Sequence, residues 1–191
     1  MELVERRRYF VCRYCTSFHF LDAPESHGIR ILTTPAGAPR CVRCTVPLAA
    51  AQLDGEHAVH CCATCRGVLL PRSTFAHVVQ TRRTWATSAS VTPLPMQPSE
   101  LERAITCPRC AQRMETHPYY GPGNVIIDSC TACDLVWLDF GELAQISDAP
   151  GRDRGVRKSP PRVEEPIPTI GRGPSADAAE PVLDVLGWLL S

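Results

Sequence analysis

The chain has 191 residues with 18 prolines, 11 cysteines and only 6% aromatic residues, which argues against one large continuous hydrophobic core and for small units that need another source of stability. Formal net charge is zero, but residues 1–85 hold 11 arginines against 6 carboxylates, net +5, while residues 86–150 hold 3 arginines against 8, net −5, so the two halves are expected to prefer different partners. No apolar run approaches the roughly 18 residues of a membrane span, and no apolar signal segment follows the charges of MELVERRRYFVCRYC; a soluble chain in the reducing cytoplasm is expected, where paired cysteines bind metal rather than each other.

In chain order, residues 1–35 form an N-terminal segment with one CxxC pair, Cys12 and Cys15, a candidate third zinc half-site. Residues 36–85 hold two further pairs, Cys41 with Cys44 and Cys62 with Cys65, separated by 17 residues. HAVHC, residues 57–61, reads as the strand entering the second of these turns, and a helix is expected to start near Ser73. Residues 86–106 read as a linker with a short helix at SELERAI, capped by Ser99 with Glu102. Residues 107–147 repeat the arrangement with Cys107, Cys110, Cys130 and Cys133, 19 residues lying between the inner cysteines. NVIID, residues 124–128, is the matching strand, followed by a strand at Val136, Trp137 and Leu138. Asp139 and Glu142 are spaced as a capping box for a helix offering Leu143 and Ile146 to the same small core; this pair is read as a helix start and not as catalytic carboxylates. Residues 148–181 are rich in proline and glycine and nearly devoid of apolar side chains, the composition of disorder. Residues 182–191 place Val182, Leu183, Leu186, Leu189 and Leu190 on one face of a short helix, for docking on the chain itself or on a partner.

A CxxC turn points two thiolates to one side, and zinc takes four such soft ligands in a tetrahedron, so two pairs complete one site. The 17- and 19-residue spacings leave room for two antiparallel strands, the geometry of a zinc ribbon. The fold class expected is therefore small zinc-stabilised, β-rich ribbon units with short helices and a disordered C-terminal region. Two zinc ions are expected, with a third if Cys12 and Cys15 recruit His19 and a fourth ligand from His27, His57, His60 or Cys61. Joining Cys12 and Cys15 to Cys41 and Cys44 across 25 residues would strand Cys62 and Cys65 and break the repeat. Cys61 reads as a buried small hydrophobe, and His77 and His117 as surface or packing residues. Arg43, Arg66 and Arg109 lie in or beside metal turns and read as compensation for the −2 charge of a four-thiolate site or as solvated surface.

Cys107, Pro108, Cys110, Cys130, Cys133 and the ending VWLDFGEL resemble the TFIIB-type zinc-ribbon family, the transcription factor zinc-finger, over about 40 residues, with a second, degenerate copy before it. The resemblance implies that the eight cysteines of the two copies are zinc ligands and suggests a link to transcription. The chain departs from the pattern at Thr45 and Ala111, where such turns favour glycine for positive φ, and at Leu135, where the first copy keeps Gly67.

No HExxH, phosphate-binding glycine loop or paired nucleophile and base is present, and closed four-cysteine sites leave no position for a substrate water, so no enzyme is expected. The expected function is a zinc-dependent protein-interaction or adaptor module, transcription-associated by resemblance. Two alternatives stand beside it: a DNA- or RNA-binding regulator acting through the basic first half, where RRRYF precedes CRY, and a redox- or zinc-responsive switch at Cys12 and Cys15. Nothing in the sequence dictates an oligomeric state.

Overall fold

The computed structural model describes residues 1–85, 95–119, 121 and 123–149. Residues 86–94 of the expected linker, residues 150–181 of the expected disordered segment and the expected C-terminal helix lie outside the described residues. Alternating apolar residues near the N-terminus give a three-stranded antiparallel sheet, β1 (Glu2–Val4), β2 (Tyr9–Val11) and β3 (Phe18–Phe20). Its inner face is an aromatic cluster in which Tyr9 lies edge-on to Phe18 at 5.5 Å and Phe20 lies edge-on to Phe140 at 4.7 Å.

The remaining strands form one seven-stranded antiparallel sheet. The strands are β4 (Ile29–Ile31), β5 (Ala49–Leu53), β6 (His57–Cys61), β7 (Val68–Pro71), β8 (Glu115–Pro118), β9 (Ile126–Cys130) and β10 (Leu135–Leu138), in the spatial order β4-β5-β6-β7-β10-β9-β8. HAVHC becomes β6 as expected, whereas the second copy's strand starts two residues later than NVIID suggests. The two copies meet edge to edge. β7 and β10 run antiparallel with Val68 opposite Leu138, Leu69 opposite Trp137 and Leu70 opposite Val136, so the repeats are joined about a local pseudo-two-fold axis. Each copy thereby covers an edge that the other would leave exposed.

The period of two along β7 and β10 divides the core. Val68, Leu70, Val136 and Leu138 face one side, against α1 (Arg72–Trp85) and α2 (Glu142–Asp148). On α1, Phe75, Val78 and Val79 are the buried stripe, spaced i, i+3, i+4. Leu69 and Trp137 face the other side, with Leu48, Ile105, Met114 and the cysteines. Trp137 is fully buried across the seam, and a Cβ on Gly67 would overlap its indole, so the glycine is required by packing. The expected common core of strand and helix is thus two half-cores, with Trp137 on the opposite face from Leu143 and Ile146.

Helix boundaries follow local chemistry. Pro71 ends β7, and α1 begins at the next residue, one before the expected Ser73. At Arg83, Nη1 donates to the carbonyls of Ile146 (2.9 Å) and Ala149 (3.1 Å), placing a cation at the negative end of α2. Residues 98–102 form a single 3-10 turn flanked by Gln97, with no side-chain cap; Ser99 does not supply the expected capping bond. The capping box at Asp139 is also corrected in part. Glu142 reaches back to the Asp139 N–H at 2.7 Å as such a box requires, but α2 starts from Gly141 in the left-handed region (φ 85°), and the Asp139 carboxylate turns elsewhere.

Candidate metal centres

Five CxxC turns share one backbone shape. The residue after the second cysteine takes a left-handed φ: 55° at Thr16, 59° at Thr45, 57° at Arg66, 58° at Ala111 and 53° at Asp134. The departures at Thr45 and Ala111 are therefore strained versions of the expected turn and not a different turn. In the first copy, Cys41 N–H donates to Val46 O (2.8 Å) and Thr45 N–H returns to Cys41 O (2.9 Å). The same reciprocal pair occurs at Cys62 with Gly67 and Arg66, and at Cys107 with Gln112 and Ala111. Backbone N–H groups of Arg43 and Cys44 point at the Cys41 sulfur (3.4 and 3.3 Å), a geometry that favours thiolate.

Each pair of turns converges. The sulfurs of Cys41, Cys44, Cys62 and Cys65 all lie within 4.8 Å of one another, as do those of Cys107, Cys110, Cys130 and Cys133. Cys41 and Cys65 are 3.6 Å apart at sulfur, as are Cys110 and Cys130. Four sulfurs about 2.3 Å from a central zinc would be separated by roughly 3.8 Å, so both clusters have the size of a tetrahedral four-cysteine zinc site. Without a cation the thiols cannot all ionise. Hydrogen bonds from Cys41 and Cys65 hold Cys62 down to about 2, while burial pushes Cys44 up to about 12. A dication removes this conflict, because it stabilises all four thiolates at once. Two zinc ions fit the donor sets, as the spacing requires.

The remaining candidates are not gathered. Cys12 and Cys15 form the fifth turn, but among the described residues no third ligand joins them. His19 lies beside Phe10, His27 is edge-on to Phe140 at 4.8 Å, and His57 pairs with His77 at 5.2 Å. His60 is half-buried in β6, and Cys61 is fully buried in the apolar core, where the sequence placed it. On β8, His117 approaches Ser129 Oγ at 3.0 Å, a packing role. The third-zinc arrangement built on His19 with these partners is therefore not assembled.

What the sequence did not reveal is the ionic centre between the copies. Buried Asp139 accepts at Oδ2 from Arg7 (2.7 Å), Arg43 (2.7 Å) and Arg103 (2.9 Å), and at Oδ1 from the indole N–H of Trp137 (3.1 Å). Arg7 also reaches Glu142 (2.8 Å) and Glu100 (3.1 Å), and Arg103 reaches Asp128 (2.8 Å). Burial alone would raise Asp139; the three guanidiniums outweigh it and hold the carboxyl below its ordinary range. Burial and the neighbouring Asp139 raise Glu142 to about 8. Arg43 therefore does more than offset its own metal turn, because it ties the first copy's turn to the second copy's carboxylate. Arg66 lies over the Phe20 ring (4.1 Å) and donates to Asp22 O (2.5 Å), clamping the N-terminal sheet. Arg7 and Asp139 are 132 residues apart, and the only sequence hint was a DxxE pair with two possible uses.

Residues 106–149 match the family model described as Transcription factor zinc-finger, the TFIIB-type zinc ribbon. No curated protein matches the chain. No solved structure matches it either. No helix among the described residues is long and apolar enough to cross a membrane. By this match and the geometry of its cysteines, segment 106–149 is similar to a TFIIB-type zinc ribbon, and the four-cysteine cluster of residues 41–65 is consistent with a tandem copy of it.

Proposed function

We propose that the chain is a non-catalytic zinc protein whose paired ribbons form a rigid platform for a protein partner, in a transcription-linked setting suggested by the family. The observation that carries this reading is the use of the arginines. The basic first half looks like a phosphate-binding surface in sequence, yet many of its guanidiniums, buried or exposed, already have partners within the chain. Arg7 and Arg43 serve Asp139, and Arg66 serves Phe20 and Asp22. Arg82 makes a bidentate pair with Asp54 at 2.7 and 2.8 Å, Arg40 donates to Thr45 O, Arg72 pairs with Asp134 and Arg13 with Glu2. An arginine that neutralises a carboxylate or caps a carbonyl contributes little to a phosphate-reading field. Both zinc donor sets are complete with four cysteines, which supports a structural and not a catalytic use of the metal.

The test is fluorescence anisotropy of the zinc-loaded chain against mixed-sequence single- and double-stranded DNA and RNA over a range of salt. The reading expects no binding with a steep salt dependence. Tight binding that weakens steeply with salt would overturn it and make the chain a nucleic-acid regulator. A protein partner should cross-link to the zinc-loaded chain, and the adduct should disappear when the metal is chelated.

A further inference from the structure

Cys12 and Cys15 sit in a turn that is built like the zinc turns but has no ion-completing partner among the described residues. Thr16 has the same left-handed φ of 55°. Cys12 N–H donates to Ser17 O (2.9 Å) and Thr16 N–H returns to Cys12 O (2.8 Å), the reciprocal pair seen at Cys41, Cys62 and Cys107. The strand register agrees too. Val11, the residue before the first cysteine, pairs with Phe18, as Cys61 pairs with Val68 and Ser129 with Val136. The β1–β2–turn–β3 order thus repeats that of β5–β6–turn–β7 and β8–β9–turn–β10.

No other thiol or imidazole of the chain stands beside this turn. Eight cysteines belong to the two clusters, and Cys61 is fully buried in the apolar core. All six histidines lie within the described residues and none joins the pair; segments 86–94 and 150–191 contain neither cysteine nor histidine. Cys15 is exposed, and its neighbour Tyr14 is 98% exposed, so the turn projects into solvent and is open to another molecule.

We infer that Cys12 and Cys15 are half of an intermolecular four-cysteine zinc site, completed by the Cys12 and Cys15 turn of a second copy of the chain. A tetrahedral zinc takes two such turns, and a second copy supplies a turn of the same shape, so the resulting site is two-fold symmetric. Binding displaces the thiol protons: one zinc dication replaces up to four protons, leaving a formal charge of −2. The site is independent of the two ribbon sites and of the partner proposed above.

The experiment is native mass spectrometry with light scattering on the zinc-loaded 191-residue chain, wild type beside Cys12→Ser/Cys15→Ser. The inference expects a wild-type dimer carrying about 2.5 zinc ions per chain, and a monomer retaining about two in the variant. Chelation should return the wild type to monomer. A wild-type monomer with two zinc ions overturns the inference, and so does a monomer with three, which would mean completion within one chain. A dimer that persists in the variant overturns it as well. Because both thiols lie on an exposed turn, the variant keeps its two ribbon zincs, and their content reports that it has folded.

Discussion

Replacing Asp139 with Asn removes one negative charge while keeping the side chain's shape and the acceptor for Trp137. Three guanidinium groups then face a neutral amide where Oδ2 had held them at 2.7, 2.7 and 2.9 Å. Arg7 and Asp139 are both buried, and breaking a buried ion pair from one side costs about 3–5 kcal/mol, because the remaining charge has lost its partner. Arg43 is partly exposed, and Arg7 and Arg103 retain Glu142 and Asp128, so the three contacts do not sum, and about 3–5 kcal/mol is the expected total. At roughly 1–3 kcal/mol per molar urea, this lowers the unfolding midpoint of the zinc-loaded chain by at least about 1 M. Zinc content of the folded variant should be unchanged, since none of the ligands is touched. A midpoint within about 0.3 M of wild type would refute the view that Asp139 neutralises the centre between the ribbons.

Other substitutions probe neighbouring parts of the account. Gly67→Ala drives a methyl group into the Trp137 indole at the seam, and thermal unfolding should show a loss of about 1–3 kcal/mol; an unchanged midpoint would mean that Trp137 is not locked there. Arg66→Ala removes the clamp over Phe20 and the bond to Asp22, so limited proteolysis should cut within residues 1–28 before the ribbons are attacked, whereas a cleavage pattern like wild type would count against the clamp. Glu142 is raised to about 8 in the folded state, above its ordinary value of 4.5, so the folded chain binds more protons between those pH values and this contribution to stability fades as pH rises through them. The stability advantage of wild type over Glu142→Gln should therefore be larger at about pH 6 than at about pH 8. Denaturant curves showing an advantage that grows with pH would contradict the assignment.

Two kinds of information differ in how far the sequence carried them. Cysteine spacing is a local property with a strict geometric consequence, so the gathering of eight cysteines into two sets of four and the strand before each second turn were readable from residues 41–65 and 107–133. The turns at Thr45 and Ala111 kept their shape without glycine, held by the reciprocal backbone bonds at Cys41 and Cys107 that the Cys12 turn also makes. The seam was not readable: nothing in VLLP or LVWL says that each will use the other as its edge partner. Asp139 misled for a related reason. A DxxE spacing is satisfied locally by a cap and equally by a buried ion pair, and only the fold brings Arg7, Arg43 and Arg103 to it from three distant segments. The charge asymmetry is legible as arithmetic, but which guanidiniums pair within the chain is not, since Arg82 and Arg83 reach carbonyls 55 and 63 residues away only in the fold.

The central claim is that two four-cysteine zinc sites hold one continuous sheet. Its most direct test is stepwise chelation of the full chain, with released zinc counted against circular dichroism and the tryptophan fluorescence to which buried Trp137 contributes. The account predicts two zinc ions per chain at the ribbon sites, lost together with the sheet signal in one cooperative transition, since β7 and β10 cannot keep their pairing when either ribbon opens. A chain that keeps its sheet signal with both sites empty, or whose two ribbons empty and unfold independently, would contradict it.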